Sequence, residues 1–261
     1  MKYNYHTHTP LCHHASGTPE EYVQKAIKGG LLGFGFSDHS PYPFPEGMIS
    51  PSRMDMSLID HYCETVRELR YKYRDHIEIY VGFETEYYPK YWDELLLQYK
   101  RCGVEYMIFA GHFIGNEGDA DCFSAFERTE DEGRLRRFVD WNVAAMDTGR
   151  YTYLAHPDVL NFVGDTDLYS EQMSRMIRAA KDKGIPLEVN MYGMRDGRHY
   201  PRDLFWELVG RIGAPAVAGM DCHRISHVAS EVEMEGVLRF ADRFKLDLHD
   251  KIEFVDPTRG L

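Results

Sequence analysis

Residues Ile77–Glu84 have the sequence IEIYVGFE, in which a β-rich apolar run ends in a carboxylate, and this pattern is the clearest indication of the fold. The same pattern recurs along the chain: MIFAGH ends in His112, and VAGMDCH ends in Asp221 and His223. Strand ends converge on one face of a parallel barrel, so polar residues that are distant in sequence meet there. The recurrence predicts an α/β barrel with its active site at the C-terminal ends of the strands.

Apolar strands and amphipathic helices alternate along the whole sequence. Thr18 and Glu21 form a capping box around Pro19, which predicts that the first helix begins there and ends at Gly29. Strands are predicted at residues 2–6, 33–37, 77–87, 105–113, 151–156, 186–193 and 214–223. The later helices are predicted at Ser57–Arg74, Trp92–Cys102, Asp131–Asp147, Ser170–Lys183, Leu204–Ile212 and Glu231–Phe244.

A doubly wound open sheet is the competing architecture for seven strands and seven helices. In such a sheet the ligand-binding residues lie at one topological switch point, so they come from the ends of only a few strands. Here site-type residues follow all seven strands, which favours a closed barrel. The chain has 261 residues and no linker or low-complexity segment, so we expect one domain over residues 1–261.

Composition restricts the location and the partners of the protein. Five cysteines without a C-x-x-C pair indicate neither a disulfide framework nor a thiolate zinc site, which favours the reducing cytoplasm. No apolar stretch approaches the ~20 residues of a membrane span, and the N-terminus lacks the apolar core of a signal peptide. The formal net charge of -12 argues against general affinity for nucleic acid.

Seven histidines and two carboxylates follow the strand ends, and together they predict metal binding. A single H-x-H motif is weak evidence for a metal site, because the alternation of side chains along a strand by itself places both histidines on one face. Imidazole and carboxylate suit Zn, Fe and Mn, and nine such residues exceed what one ion uses. The sequence therefore predicts a multinuclear metalloenzyme with these candidate ligands: His6, His8, His14, His39, Glu84, His112, His156, Asp221 and His223.

The same motifs resemble the polymerase and histidinol phosphatase (PHP) superfamily, and especially its histidinol-phosphate phosphatase branch. The resemblance extends from HTHTPLCHHA at the start to MDCH near the end, where the branch often has S-D-A-H. EVNMYGMRDGRHYP resembles a segment typical of that branch. The resemblance implies a distorted (β/α)7 barrel that hydrolyses L-histidinol phosphate to L-histidinol and inorganic phosphate in histidine biosynthesis.

The resemblance also implies how two to three divalent ions (Zn, Fe or Mn) share the ligands. Glu84 is expected to bridge two ions. The first set is His6, His8, Glu84 and Asp221; the second is Glu84, His112 and His156; the third is His14, His39 and His223. Of the adjacent His13 and His14, we choose His14, because its six-residue offset from His8 fits the family motif.

Phosphate ester hydrolysis follows from such a site without a side-chain nucleophile. A water that bridges two ions loses a proton near neutral pH and attacks phosphorus in line. Arg195 and Arg198 follow the sixth strand and are candidate phosphate clamps. Asp158, His199 and His223 are candidates for the acid that protonates the leaving alcohol, and the sequence does not decide among them.

Two other functions remain possible beside the preferred one, which is hydrolysis of a small phosphate monoester. A PHP-type phosphodiesterase or exonuclease acting on nucleotides or nucleic acid is one, and the acidic charge counts against it. A non-catalytic metal-binding protein is the other, although structural zinc sites are usually closed and four-coordinate. The oligomeric state and the native metals are not evident from the sequence.

Overall fold

A computed structural model describes residues 1–261, and an eight-stranded parallel sheet organises them. Its strands, in spatial order, are β1 (Tyr3–Asn4), β2 (Gly33–His39), β3 (Glu78–Thr85), β4 (Tyr106–Phe109), β7 (Tyr153–Leu154), β8 (Leu187–Asn190), β9 (Pro215–Gly219) and β10 (Asp247–His249). A separate antiparallel hairpin consists of β5 (Phe113–Ile114) and β6 (Phe123–Ser124). The predicted α/β barrel class is confirmed, with one strand more in the sheet than expected.

Eight helices connect the strands: α1 (Pro19–Lys28), α2 (Ile59–Tyr73), α3 (Trp92–Cys102), α4 (Glu132–Asp147), α5 (Thr166–Lys183), α6 (Met191–Arg195), α7 (Asp203–Ile212) and α8 (Glu231–Phe244). The capping box of Thr18 and Glu21 is present at the start of α1. None of these helices combines the length and apolar character that crossing a membrane requires.

Two helices differ from the sequence prediction because of local caps. The side chain of Asp165 accepts a hydrogen bond from the Leu168 amide at 2.7 Å, so α5 begins at Thr166 rather than at Ser170. The predicted sixth strand ends at Asn190, whose side chain caps α6 through the Gly193 amide at 2.8 Å. Residues 191–195 are therefore helical rather than extended.

The eighth strand, β10, pairs with the lower half of β9 and so separates it from β1. The ladder consequently has edges at β1 and β10. Beyond β9, however, Thr7 and Cys222 form a parallel bridge. The side chain of Asn4 also accepts a hydrogen bond from the Met220 amide at 2.9 Å. These contacts bring the chain after β1 beside the chain after β9 at the C-terminal end of the barrel, although the strand ladder itself is not closed.

The interior of the barrel is filled by aromatic side chains. Tyr106 donates a hydrogen bond to the Tyr5 carbonyl at 2.8 Å, and its ring stacks on Phe254 at 4.5 Å. A Cβ on Gly82 of the neighbouring strand would lie 2.3 Å from the Tyr106 ring, so only glycine fits there. This filled lower barrel leaves the C-terminal strand ends as the place for an open site.

Candidate metal centre

Glu84, at the end of β3, lies at the centre of the histidines that follow the other strands. Its Oε1 is 2.8 Å from Nε2 of His156 and 3.3 Å from Nε2 of His6. Its Oε2 is 2.8 Å from Nδ1 of His39. Nε2 of His112 lies 3.6 Å from Glu84 Oε1 and 3.1 Å from His156 Nε2. One buried carboxylate therefore contacts imidazoles from four different strand ends.

A second carboxylate, Asp221, completes the other half of the cluster. Its Oδ1 lies 3.3 Å from Nε2 of His8 and 3.1 Å from Nδ1 of His223. The donor atoms of His8, His39 and His223 all lie within 4.8 Å of one another, and so do those of His6, His8 and Asp221. Separations of this size are compatible with ligands that share one ion.

The structure brings His14, rather than His13, to the cluster. The His14 ring lies 4.8 Å from the His223 ring and 5.2 Å from the His39 ring. Its Nδ1 is hydrogen-bonded to the Cys12 carbonyl at 2.7 Å, which leaves Nε2 for the cluster. His13 has a positive φ of 69° and is exposed. All nine residues proposed as ligands therefore converge at one place.

The donor set fits metal ions because buried donor atoms there lack hydrogen-bond partners. Buried polar atoms are nearly always paired, so a group of unpaired ones indicates a missing ligand. Side-chain atoms without a partner include Nε2 of His6, Nε2 of His8, Oε2 of Glu84, Nδ1 of His156, Oδ1 of Asp221 and Nε2 of His223. Six of the nine candidate ligands thus present at least one unsatisfied atom of the type that binds Zn, Fe or Mn.

Without metal, buried carboxylates favour the protonated form of His6. Burial alone lowers the pKa of His6, but Glu188, Asp221 and Glu84 outweigh it and raise the pKa to about 10. The pKa of His14 is lowered to about 4, mainly by burial and then by the neighbouring His223 and His8. Without metal, His6 is therefore protonated at pH 7, whereas His14 at the open edge of the cluster is neutral.

The backbone at two of these residues is strained. His156 has a φ of 29° and Asp221 a φ of 48°, and neither is glycine. Positive φ values at ordinary residues cost free energy and persist where the surroundings fix them, often at functional sites. Each residue lies two positions after the end of a strand, where the turn of the chain allows its side chain to join the cluster.

Three further carboxylates behind the cluster were not identified from the sequence. Glu188, on β8, lies 2.8 Å from His6 Nδ1. Asp38 is 3.4 Å from Nδ1 of His8 and is also hydrogen-bonded to Thr9. Glu86 is 2.9 Å from Nδ1 of His112. Such partners orient ligand imidazoles and raise their basicity. Their position next to or two residues from a candidate ligand is the available signal for Asp38 and Glu86.

An open cavity of about 240 Å³ lies over the cluster. Eight of the nine candidate ligands, all except His6, contribute to it. Its other walls are basic and aromatic, and they consist of Ser52, Arg53, Phe113, Phe126, Tyr192, Arg198 and Tyr200. Arg198 stacks on Tyr192 at 4.4 Å and donates a hydrogen bond to the Tyr192 hydroxyl at 2.9 Å. Of the two predicted phosphate clamps, Arg198 is therefore the one at the cavity.

The position of Arg195 corrects its sequence-based placement. It is the last residue of α6 rather than a residue following a strand, and its Nη1 pairs with Glu233 of α8 at 2.8 Å. Its guanidinium lies behind Tyr192, at 5.0 Å from the ring, and does not line the cavity. The Asn190 cap starts α6 and so places Arg195 on a helix. The phosphate contact of Arg195 stays a prediction.

Two of the three candidate acids also lie away from the cavity. Asp158 Oδ2 accepts hydrogen bonds from the Arg202 amide at 2.5 Å and from Trp206 Nε1 at 3.2 Å, which anchors α7. His199 Nε2 is hydrogen-bonded to the Val159 carbonyl at 2.6 Å and lines a separate depression. Neither side chain lines the cavity over the cluster. Only His223 of the three lines the cavity, and it does so as part of the donor set.

The fold and the candidate ligands define the class of this chain. It is an α/β barrel whose strand ends carry enough ligands for more than one metal ion. The PHP domain matches residues 4–191, and the chain belongs to that family.

Individual relatives agree with this assignment. A probable histidinol-phosphatase from Deinococcus radiodurans is 26% identical over 92% of this chain and 90% of its own length. A histidinol-phosphatase from Bacillus subtilis is 25% identical over 87% and 96%. A solved structure of Lactococcus lactis histidinol phosphate phosphatase, in complex with zinc, L-histidinol and phosphate, superposes with a TM-score of 0.74 at 19% identity over 98% of each chain.

Proposed function

We propose that this protein is a metal-dependent phosphatase that hydrolyses L-histidinol phosphate to L-histidinol and inorganic phosphate. The observation that carries the proposal is the cluster of nine candidate ligands, eight of which line a cavity whose other walls are basic and aromatic. The names of the full-length relatives support the choice of substrate. The phosphate and the imidazole of this substrate match the two kinds of side chain in the cavity walls.

In this proposal the nine residues hold two to three divalent ions such as Zn, Fe or Mn. When bound, such ions activate water for attack on phosphorus and neutralise the charge that develops on the phosphoryl oxygens. Glu84 would contact ions on both sides, since its two oxygens face different histidines. We assign His223 to this donor set and not to proton transfer, because its unpartnered Nε2 is then already used.

The residues around the ions would bind and orient the substrate. Arg198 presents a fixed cation to the phosphate, because its guanidinium is held against Tyr192. Phe126, which stacks on His112 at 5.5 Å, and Tyr200 supply flat apolar surface for an imidazole ring. The walls also limit the access of bulk water to the reacting phosphate.

We also infer that residues 1–261 act as one domain. The first and last strands, β1 and β10, belong to the same eight-stranded sheet, and the Asp250 carboxylate accepts a hydrogen bond from the Lys2 amide at 2.7 Å. The cytoplasmic location stays a prediction, and five free cysteines support it.

The test is the ratio of kcat/KM values on competing phosphate esters, measured with metal-reconstituted protein. The kcat/KM for histidinol phosphate should be at least about tenfold higher than that for p-nitrophenyl phosphate or for any mononucleotide. This is the discrimination expected from a few specific contacts. Glu84→Ala should abolish turnover of all of them. A mononucleotide or an oligonucleotide that is cleaved faster than histidinol phosphate would contradict the proposal, and so would the absence of any metal-dependent turnover.

A further inference from the structure

Arg53 is a buried cation in the cavity wall that neither the sequence motifs nor the metal ligands account for. It lies in the loop between β2 and α2, where no regular pattern predicts a site residue. Only 3% of its surface is exposed, although it lines the central cavity. A buried arginine needs partners to offset its desolvation, so its contacts indicate what it is for.

The guanidinium of Arg53 is held from behind by the surrounding protein. Its Nη2 pairs with Glu117 Oε2 at 2.9 Å, its Nε donates to the Ser50 hydroxyl at 3.3 Å, and its Nη1 donates to the Ser40 carbonyl at 3.2 Å. Its plane also lies over the ring of Tyr42 at 5.3 Å. A guanidinium has five N–H donors, so these three hydrogen-bond partners leave donors for an oxygen in the cavity.

Arg53 also lies next to the cluster of candidate metal ligands. Its Nη2 is 3.9 Å from Glu86 Oε1, and the same oxygen lies 2.9 Å from Nδ1 of His112. The opposite ring atom of His112, Nε2, faces Glu84. One carboxylate oxygen therefore separates the guanidinium from a candidate metal ligand, which places the cation within reach of a group bound to the ions.

Arg53 and Arg198 are the two cations among the residues that line the cavity. They come from different loops and are held by different partners, since Arg198 rests on Tyr192 and Phe126. A phosphate dianion on the cluster has oxygens that face away from the ions, and guanidinium groups are well suited to bind them.

We propose that Arg53 is a phosphate-binding residue, whose guanidinium contacts a non-bridging oxygen of the phosphate ester and of the phosphate product. The inference rests on the proposed phosphatase function but is narrower than it. Glu117 and Ser50 fix the fork of the guanidinium before the ligand arrives, so little side-chain entropy is lost on binding. Arg53 thereby takes the role that the sequence assigned to Arg195.

The test uses inorganic phosphate as the probe and protein that is loaded with metal and freed of excess ions. Calorimetric titration should show phosphate affinity roughly 10- to 100-fold weaker in Arg53→Gln, as expected for a lost charge-assisted contact. Arg53→Lys should recover part of the loss, because an ammonium keeps the charge without the fork. Metal content should equal that of the unmodified protein in both variants.

Two matched variants separate ligand binding from bracing of the loop. Glu117→Gln removes the carboxylate that holds Arg53 but leaves the guanidinium, so its phosphate affinity should stay within about threefold of wild type, since an amide oxygen still accepts one hydrogen bond. Arg70→Gln removes another carboxylate-paired arginine, which contacts Glu105 away from the cavity, and it should bind phosphate normally.

Equal losses in Arg53→Gln and Glu117→Gln would overturn the proposal and make Arg53 a brace of the β2–α2 loop. Loss of metal in both Arg53 variants would overturn it as well, because the effect would then act through His112. Arg53→Lys keeps the proposal testable if Arg53→Gln does not fold. Phosphate binding is measured without substrate. The role of Arg53 can therefore be tested even if histidinol phosphate is not the substrate.

Discussion

Nδ1 of His6 lies 2.8 Å from Oε1 of Glu188, and both side chains are fully buried although 182 positions separate them. The other oxygen of Glu188 accepts a hydrogen bond from the His156 amide at 3.0 Å. One carboxylate thus fixes two candidate ligands that follow different strands. As a result, Nε2 of each imidazole faces the same oxygen of Glu84.

Glu188→Gln should weaken metal binding without removing a ligand. An amide of the same shape keeps one acceptor oxygen, but it cannot accept from both His6 and His156 with separate oxygens. Loss of such a supporting partner typically costs 10- to 100-fold in metal affinity. Competition with a chromophoric chelator measures the change, and Glu207→Gln on the exposed side of α7 is the matched control. Equal affinities in both variants would reduce Glu188 to a packing role.

Glu84→Ala should be the most damaging change among the candidate ligands. Glu84 contacts His6, His39 and His156, whereas His14 lies at the exposed edge of the cluster. Elemental analysis of reconstituted protein should find two to three equivalents of metal in wild type and the largest loss in Glu84→Ala. His14→Ala should lose at most one equivalent. If His14→Ala lost more metal than Glu84→Ala, the division of ligands among the ions would be wrong.

Metal binding should release protons and should weaken as the pH falls. The carboxylates raise the pKa of His6 to about 10 and that of His8 well above its ordinary value, despite burial. Both imidazoles are therefore protonated at pH 7 without metal, and an ion must displace those protons because only the neutral ring binds it. Calorimetric titration of metal in buffers with different ionisation enthalpies should give more than one proton released. A proton count near zero at pH 7 would contradict this arrangement.

The nine donors were predictable because each follows an apolar run, and the ends of parallel strands meet whatever the details of the loops. Strand β10 was not predictable from the sequence, because Asp247 and His249 are exposed and the three residues of the strand lack an apolar pattern. It is a strand only because the edge of β9 offers it partners.

The cavity walls were harder to predict because they depend on loops. Arg195 and Arg198 lie three positions apart, yet only Arg198 lines the cavity, because Arg195 lies on the helix that Asn190 caps and pairs with Glu233. Arg53 lies in a proline-rich loop without periodicity, so only the tertiary structure places it beside Glu86.

Thiol alkylation of the folded protein should leave phosphatase activity largely intact. Four of the five cysteines are buried, and only Cys122 is partly exposed. Burial raises the pKa of Cys122 to about 11, so little reactive thiolate exists at neutral pH. Mass spectrometry should find slow modification of Cys122, and Cys122→Ser should retain full activity. Rapid inactivation that inorganic phosphate prevents would instead indicate a reactive thiol in the cavity.

Asp158→Asn should remove a pH dependence of stability rather than a catalytic acid. Burial raises the pKa of Asp158 from 3.8 to about 7, and the hydrogen bonds from Arg202 and Trp206 offset this only in part. The folded protein therefore binds this proton more tightly than the unfolded chain. Its stability is unaffected by this group below about pH 4, falls as the pH rises towards 7, and is level above that.

Asparagine cannot ionise, but its oxygen still accepts from Arg202 and Trp206. The variant should therefore gain on wild type as the pH rises from 4 to 8, by on the order of 2–4 kcal/mol in the free energy of unfolding. Denaturant unfolding of both metal-free proteins at a series of pH values measures this difference, and the titrations of the metal-site histidines cancel in it. At pH 7, kcat on metal-loaded protein should change by less than about tenfold, because Asp158 does not line the cavity. A loss of 100-fold or more with metal content unchanged would restore Asp158 as the acid.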